Sequence, residues 1–135
     1  MCQTNSILRM LGMRHDYYSS DPMICYNIDS LLDWIEDFCE PAYKYVYVVM
    51  GGETPDAKIL TDYYTKKMGL IEARLTASNK PFVGGTDAPT IADFKVFHFD
   101  TYLFSEFTTA CLIPAELQEE LKTMREASPK YEAWF

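Results

Sequence analysis

Histidine and cysteine side chains are the residues of this sequence that could serve as nucleophiles, general bases or metal ligands. The four cysteines stand at positions 2, 25, 39 and 111, with no C-x-x-C pair and no histidine at the spacing of a zinc site. His15 and His98 lack an acid and a nucleophile at a recognisable spacing, which favours a surface position and a helix face over general-base roles. The sequence therefore predicts no catalytic residue, no metal site and no disulfide framework.

The charge balance argues against nucleic acid as a partner. The chain has 12 basic and 20 acidic residues, a formal net charge of −8, and no cluster of Lys or Arg dense enough to follow a phosphate backbone. No apolar run reaches the roughly 18 residues of a membrane span, and the first residues are polar, so neither export nor insertion is indicated. With thiols that we interpret as reduced, these features predict a protein of the cytoplasm or another reducing compartment.

The 135 residues are enough for one domain with its own core. Helical periodicity predicts the elements that carry the histidines and cysteines. Apolar residues 7, 8 and 11 predict a short amphipathic helix over residues 4–11, with Thr4 as its N-cap and Gly12 closing it. Residues 13–22 are polar and form a predicted connector, whose Asp21-Pro22 end opens the next helix. No strand, hairpin or internal repeat is indicated, so the predicted fold class is all-α.

Two long helices form the predicted centre of the fold. The first has apolar residues at three- and four-residue steps from position 24 to 42, continues past an expected kink at Pro41 and ends at Gly51-Gly52. The second is predicted to begin at Thr54-Pro55, an N-cap followed by proline at the first helical position. Its apolar stripe runs from position 59 to 75. The two helices are therefore expected to pack antiparallel.

A capping box is predicted where Thr90 is followed by Asp93, whose carboxylate can accept the Thr90 amide. Loss of this box should impair folding, by about 1 kcal/mol, rather than binding. The apolar character of the helix behind it predicts burial in the middle of a bundle, with phenylalanines at Phe94, Phe97, Phe104 and Phe107. Pro114 opens a further helix, and Ser128-Pro129 starts a last turn.

Three segments of the chain resemble the cytosolic glutathione transferases, in the order and at the spacing of the helical domain of that family. The segment from Gln3 to Leu11 resembles the third helix of its thioredoxin-like domain, which opens with Gln and then Ser or Thr. Residues 28–38 resemble the fourth helix of the mu, pi and sigma classes. Phe82-Val83-Gly84, followed by Thr90 and by Asp93-Phe94, resembles the loop and capping box before the sixth helix.

The resemblance covers almost the whole chain and implies a division into two parts. Residues 1–20 correspond to a remnant of the thioredoxin-like domain, its third helix, with a linker. Residues 21–135 correspond to a helical bundle of the glutathione transferase C-terminal domain type. Pro89 departs from the family, which usually carries a larger aliphatic residue before the cap.

The resemblance also implies a partial glutathione site. In the family a Gln-Ser/Thr pair binds the γ-glutamyl end of glutathione beside a helix N-terminus, and Gln3 and Thr4 stand at those positions. Asp37 stands where an acid reaches across a dimer interface to the α-ammonium group, and Arg9 stands at the position of an interface arginine. The residues alone also allow a simpler interpretation, with Thr4 as a cap, Gln3 and Asp37 solvated, and Arg9 without a measurable partner.

The thiol-activating Tyr, Ser or Cys of the family stands near the start of the thioredoxin-like domain, a region with no counterpart in this sequence. We therefore expect no cofactor, no independent transferase activity and at most weak glutathione binding. Two functions remain open: a non-catalytic scaffold or protein-interaction module, which we favour, or part of an active transferase whose N-terminal half is supplied separately. Without the sheet, apolar side chains of the first helix would face water, so a homodimer or larger assembly is expected.

Overall fold

The computed structural model describes residues 3–101 and 113–134 of the chain. Within these ranges the backbone forms α-helices and no strand, which confirms the predicted all-α fold class. The helices are, in chain order, α1 (Thr4–Arg14), α2 (Pro22–Met50), α3 (Lys58–Ser78), α4 (Ile91–Thr101), α5 (Ala115–Glu126) and α6 (Pro129–Trp134). In the part of the chain described, no helix is long and apolar enough to cross a membrane.

α2 begins and ends where the sequence predicts. Asp21 caps it, because its Oδ1 atom accepts the amide protons of Met23 at 2.8 Å and Ile24 at 3.1 Å. The helix then runs through Pro41, and Gly51 is its C-cap. The continuous apolar stripe and the strong cap therefore define the longest element of the fold correctly, while the kink at Pro41 stays a prediction.

The core lies between α2 and the helices that pack against it, α3 and α4, while α5 and α6 pack on α3. α2 buries one continuous stripe, whose most enclosed members are Ile28, Leu31, Leu32 and Ile35. α3 faces the core with a second stripe that includes Leu60, Tyr64, Met68, Ile71 and Leu75. Each fully buried Leu or Ile contributes roughly 1.5–3 kcal/mol, so packing rather than helix propensity holds these helices in place.

α1 differs from the prediction at both ends. Its N-cap is Gln3, which has a positive φ of 70° and makes no side-chain cap bond, so Thr4 is the first helical residue and not the cap. Gly12 does not close the helix, which continues to Arg14. Gly12 is buried where α1 approaches α4, and a Cβ there would lie 2.7 Å from Ile91 Cγ2. The glycine is therefore needed for close helix packing rather than for a turn.

α3 begins at Lys58, and the start predicted at Thr54-Pro55 is wrong. Oδ1 of Asp56 accepts the Lys58 amide at 2.9 Å, and the backbone bond from Ile59 to the Asp56 carbonyl opens the first turn. The N-cap, Ala57, makes no side-chain bond, so the Asp56 carboxylate before it satisfies the first helical amide, and the helix starts here rather than at Thr54. At the other end Asn79 is the C-cap, in the left-handed conformation with φ 50°.

The capping box before α4 forms, and the predicted bond from the Thr90 amide to the Asp93 carboxylate is present. Oδ2 of Asp93 accepts the Thr90 amide at 2.8 Å, as expected. The Thr90 hydroxyl, however, donates to the same oxygen at 2.8 Å, and the Asp93 amide donates to the Thr90 carbonyl at 3.0 Å. The carboxylate of Asp93 therefore receives both Thr90 donors, and the residue is only 4% exposed.

The burial predicted for the phenylalanines behind the box is wrong for Phe94 and Phe97, which are each 44% exposed. α4 instead buries the face that carries Ile91, Ala92, Asp93, Val96, Phe99 and Asp100. The inward carboxylate of Asp93 sets the rotation of the helix, and Phe94, about 100° further round, then faces outward. Phe104 and Phe107 lie outside the described residues.

The C-terminal helices follow the prediction. α5 begins directly after Pro114, and Pro129 occupies the first position of α6. The first amides of α6 are capped from another helix, because the two carboxylate oxygens of Glu72 on α3 accept the amides of Lys130 at 3.2 Å and Tyr131 at 2.9 Å. α6 is therefore fixed to α3 through its own N-terminus.

Candidate functional site

A cleft of about 560 Å³ lies where α1, α2 and α4 meet. Small-molecule sites in proteins have volumes of roughly 300–1,000 Å³ and mostly apolar walls with a few polar groups. The apolar wall of this cleft comes from Leu8, Ile35, Phe94 and Phe99, and its polar groups come from Thr4, Glu36, Cys39, Tyr43, Lys95 and His98. Its size and its wall therefore fit a small apolar ligand.

Lys95 is a cation in the wall of the cleft, and its charge is compensated within the protein. The ammonium group contacts the side chains of Glu36 and Asn5 and donates to the Leu32 carbonyl at 3.0 Å. These three acceptors match the three N–H donors of an ammonium group. Lys95 therefore connects α1, α2 and α4 rather than presenting a free positive charge to a ligand.

Arg9, assigned by resemblance to an interface between subunits, is paired within its own chain. Its Nε donates to Asp29 Oδ1 at 2.7 Å, its Nη2 donates to Asp33 Oδ1 at 3.4 Å, and the Tyr18 hydroxyl donates to Asp29 Oδ2 at 2.8 Å. The hydrogen bond to Asp29 raises the pKa of Arg9, while burial, followed by the same carboxylate, raises the pKa of Tyr18. The cluster holds α1 against α2, and the interface role of Arg9 stays a prediction.

The thiol of Cys39 faces the cleft and is not activated. Cys39 is 6% exposed, and burial, assisted by the negative charge of Glu36, raises the pKa of its thiol to about 11. A reactive cysteine needs a lowered pKa, because the thiolate is the nucleophile. The cleft is therefore better suited to non-covalent binding than to covalent catalysis through this residue.

Of the residues assigned to glutathione by resemblance, the structure brings Thr4 to the cleft. Gln3 is exposed directly before it, and Asp37 is exposed on α2, where its backbone carbonyl accepts the Tyr63 hydroxyl. Neither Gln3 nor Asp37 belongs to the wall of the cleft. Contacts between these three residues and glutathione stay a prediction.

The two histidines lie where the sequence analysis places them. His15 is exposed at the C-cap of α1, and His98 is exposed on the face of α4 that borders the cleft. These positions agree with the interpretation of His15 as a surface residue and His98 as a helix-face residue.

Asp93 makes two contacts that the sequence analysis missed. Besides the two Thr90 donors, its carboxylate accepts the Val83 amide at 2.9 Å and the indole N–H of Trp134 at 3.0 Å, both through Oδ1. The partners come from the loop before α4 and from α6. This arrangement agrees with a structural role for Thr90 and Asp93 and extends it to the C-terminal helix.

A buried ion pair between Lys67 on α3 and Asp100 on α4 was also missed. Both side chains are 0% exposed and lie in contact. The Lys67 ammonium lies 4.7 Å from the ring centre of Phe99 and 5.3 and 5.8 Å from those of Tyr64 and Tyr131. Burial lowers the pKa of Lys67 well below its ordinary value and raises that of Asp100 well above. The available signal was Lys67 itself, a charge three residues after Tyr64 in an apolar stripe.

Large exposed apolar side chains occur on α1, on the segment that follows it, and on α4. Tyr17 packs edge-on against Phe94, with ring centres 4.9 Å apart, and so joins the segment after α1 to α4. The large apolar side chains here are 40–63% exposed, and we call them together the α1/α4 face: Met10, Leu11, Met13, Tyr17, Phe94 and Phe97. The face and the cleft share Phe94, which also forms part of the apolar wall of the cleft.

Comparison of the chain with protein-family models, with curated proteins and with solved structures found no match. Among residues 3–101 and 113–134, no group of three or more His, Cys, Asp or Glu side chains could hold a metal ion. The link to the glutathione transferases therefore consists of the resemblance of three sequence segments, and a function has to be inferred from the cleft and the exposed surfaces.

Proposed function

We propose that this chain is a non-catalytic protein-interaction module with the helical architecture of the glutathione transferase C-terminal domain. The observation that carries the proposal is the α1/α4 face, whose six large apolar side chains are all at least 40% exposed. Monomeric proteins seldom expose large connected apolar patches, which commonly mark interaction sites. Each such side chain contributes roughly 1.5–3 kcal/mol when fully buried. A protein partner therefore covers this face in the working state.

The order of the helices supports the proposed architecture. The short α1 is followed by the two long helices α2 and α3, and a capping box precedes α4. This is the order that the resemblance implies. In that family the helix at the position of α1 packs on the sheet of the thioredoxin-like domain. By analogy, the apolar side chains of α1 would be covered by a partner.

The proposed partner is a second copy of this chain. Two copies with a net charge of −8 each repel one another, so they associate best through a surface without charges. The six side chains that define the α1/α4 face are uncharged, so contact through them adds no repulsion of its own. A dimer through this face would bury apolar area without desolvating an ion.

Light scattering coupled to size exclusion tests the proposal, with the purified chain at tens of micromolar. We expect a dimer that Leu11→Glu and Phe94→Glu each convert to a monomer, since each places a charge in the contact. Met50→Glu is the matched control, because Met50 is 70% exposed at the far end of α2. A monomeric wild-type chain, with little binding of a dye that reports apolar surface, would contradict the proposal.

The cleft favours a second candidate function, part of an active glutathione transferase completed by a separate thioredoxin-like half. The cleft opens beside Thr4, one of the residues assigned to glutathione by resemblance. Calorimetry with glutathione and a conjugation assay with a general electrophile separate the two candidates. The non-catalytic module shows no conjugation and only weak binding. Micromolar binding that Gln3→Ala abolishes, or turnover comparable to an ordinary transferase, would favour the second candidate.

A further inference from the structure

Arg74 on α3 is a partly buried cation that lacks a carboxylate partner. In the described ranges, 3–101 and 113–134, none of the ion pairs involves Arg74. The side chain is partly buried, and this burial lowers the pKa of Arg74 from its ordinary value. A desolvated, unpaired charge is unfavourable, and a chain with 20 acidic residues has many potential partners to offer. The unpaired guanidinium therefore requires an explanation.

Neutral groups hold the Arg74 side chain in place. Its Nη1 donates to the Asn27 carbonyl at 3.3 Å, and its Nη2 donates to the Ser30 hydroxyl at 3.0 Å. The Ser30 hydroxyl donates in turn to the Asn27 carbonyl at 3.0 Å, which fixes the acceptor. A guanidinium group has five N–H donors, so these two bonds orient Arg74 and leave further donors for a ligand.

A pocket of about 290 Å³ lies beside Arg74, between α2, the end of α3 and the loop before α4. The Asn27 side-chain amide and Ser78 converge on it: a Cβ at Gly85 would lie 3.8 Å from Asn27 Nδ2 and 3.8 Å from Ser78 Cβ. Gly85 has φ +77°, a conformation that side-chain-bearing residues rarely adopt. The turn therefore keeps this wall of the pocket free of a side chain, next to an amide donor and a fixed cation.

We propose that this pocket binds a small oxyanion, with Arg74 as the charged ligand and the Asn27 amide as a neutral donor. A guanidinium group recognises carboxylates and phosphates through parallel N–H···O bonds that are stronger than neutral ones. The loop before α4 has one acidic residue, Asp87, which is already paired with Lys80 at 2.6 Å. An oxyanion in the pocket compensates the charge of Arg74 without displacing either of its bonds to α2.

An NMR titration of the ¹⁵N-labelled chain tests this site, with sodium phosphate and sodium acetate as separate probes. Ionic strength is held constant with sodium chloride, since any salt screens a net charge of −8. We expect saturable shifts at the backbone amides of Gly84 and Gly85 and at the Asn27 side-chain amide. The probe that saturates at the lower concentration identifies the ligand as a phosphate or a carboxylate. Shifts that grow linearly for both probes would overturn the proposal.

Two variants and one control make the test specific. Arg74→Met should weaken binding of the better probe by about tenfold or more. Asn27→Ala should weaken it severalfold while keeping the backbone carbonyl that holds Arg74. Arg14→Met, on α1, makes the same change in net charge and should leave affinity unchanged. Wild-type affinity in Arg74→Met overturns the proposal, and where that variant does not fold, wild-type affinity in Asn27→Ala does so.

Discussion

The indole N–H of Trp134 donates to Asp93 Oδ1 at 3.0 Å and so joins α6 to the start of α4 across 41 positions of sequence. The same carboxylate holds the Val83 amide and both Thr90 donors. One buried acid therefore couples a loop, a capping box and the C-terminal helix. Hydrogen bonds to a charged acceptor are stronger than neutral ones, so the bonds to Asp93 should contribute strongly to the stability of the fold.

Replacing Trp134 by Phe keeps an aromatic ring and removes the indole donor. We expect the free energy of unfolding to fall by about 1.5–3 kcal/mol, the range for a hydrogen bond to a charged group. Urea denaturation followed by circular dichroism measures it. Trp34→Phe is the control, since Trp34 packs against Phe38 with ring centres 3.9 Å apart. Equal losses in the two variants would show that the indole bond contributes nothing.

Gly12→Ala and Gly69→Ala should change stability in opposite directions. A Cβ at Gly12 would lie 2.7 Å from Ile91 Cγ2, so the substitution forces α1 away from α4 and destabilises the protein, by about 1–3 kcal/mol. A Cβ at Gly69 would meet no atom within 4 Å. Alanine there should stabilise α3 by roughly 0.5–1 kcal/mol. Thermal unfolding of both variants measures the two changes in stability. Stabilisation by Gly12→Ala would contradict the close packing of α1 on α4.

Replacing one member of the buried pair of Lys67 and Asp100 should reduce stability far more than replacing both members. Lys67→Met leaves a carboxylate that is 0% exposed without its partner, and we expect a loss of about 3–5 kcal/mol. The double variant Lys67→Met/Asp100→Leu should recover most of that loss, because apolar residues of similar size avoid burying two polar groups. A double-mutant cycle in urea measures the coupling. Additive losses would show that the two charges do not depend on each other.

The raised pKa of Cys39 predicts a loss of stability in alkali. Burial raises the folded-state pKa from 9.0 to about 11, so folding favours the protonated thiol. Its contribution is complete below about pH 9 and is lost as the pH rises through 11, by about 3 kcal/mol in all. Cys39→Ala should therefore show a flatter decline between pH 8 and 11 than the wild type. Parallel curves for the two proteins would argue against a buried thiol.

The sequence was sufficient to predict elements in which several local signals agree. α2 has a continuous apolar stripe, a capping aspartate and a glycine at its end, and all three signals agree with the structure. The rotation of α4 was not predictable in this way, because phenylalanines occur on several sides of the helix. The buried side is the one that carries Asp93, whose carboxylate accepts the Val83 amide and both Thr90 donors.

Features of the candidate sites depend on distances that spacing along the chain does not contain. The role of Gly12 is visible only once α4 lies against α1. Arg74 reads as an ordinary helix-surface cation until its neighbours on α2 are found to be neutral. The prediction of Thr4 as the N-cap was wrong because Thr4 is already the first residue of α1. The N-cap is Gln3, and its side chain makes no cap bond.

The capping of α6 by Glu72 sets an order for folding. A helix of six residues is too short to persist alone in water. Its anchors Glu72 and Asp93 belong to α3 and α4, and Arg125, which pairs with Glu132, belongs to α5. α6 therefore forms only after those helices have assembled, so its contacts form after the folding transition state. Substitutions at these anchors should accelerate unfolding while leaving the folding rate nearly unchanged. During synthesis, α6 also leaves the ribosome after the helices that anchor it, so the nascent chain gains this increment of kinetic stability only once α3 and α4 have been made.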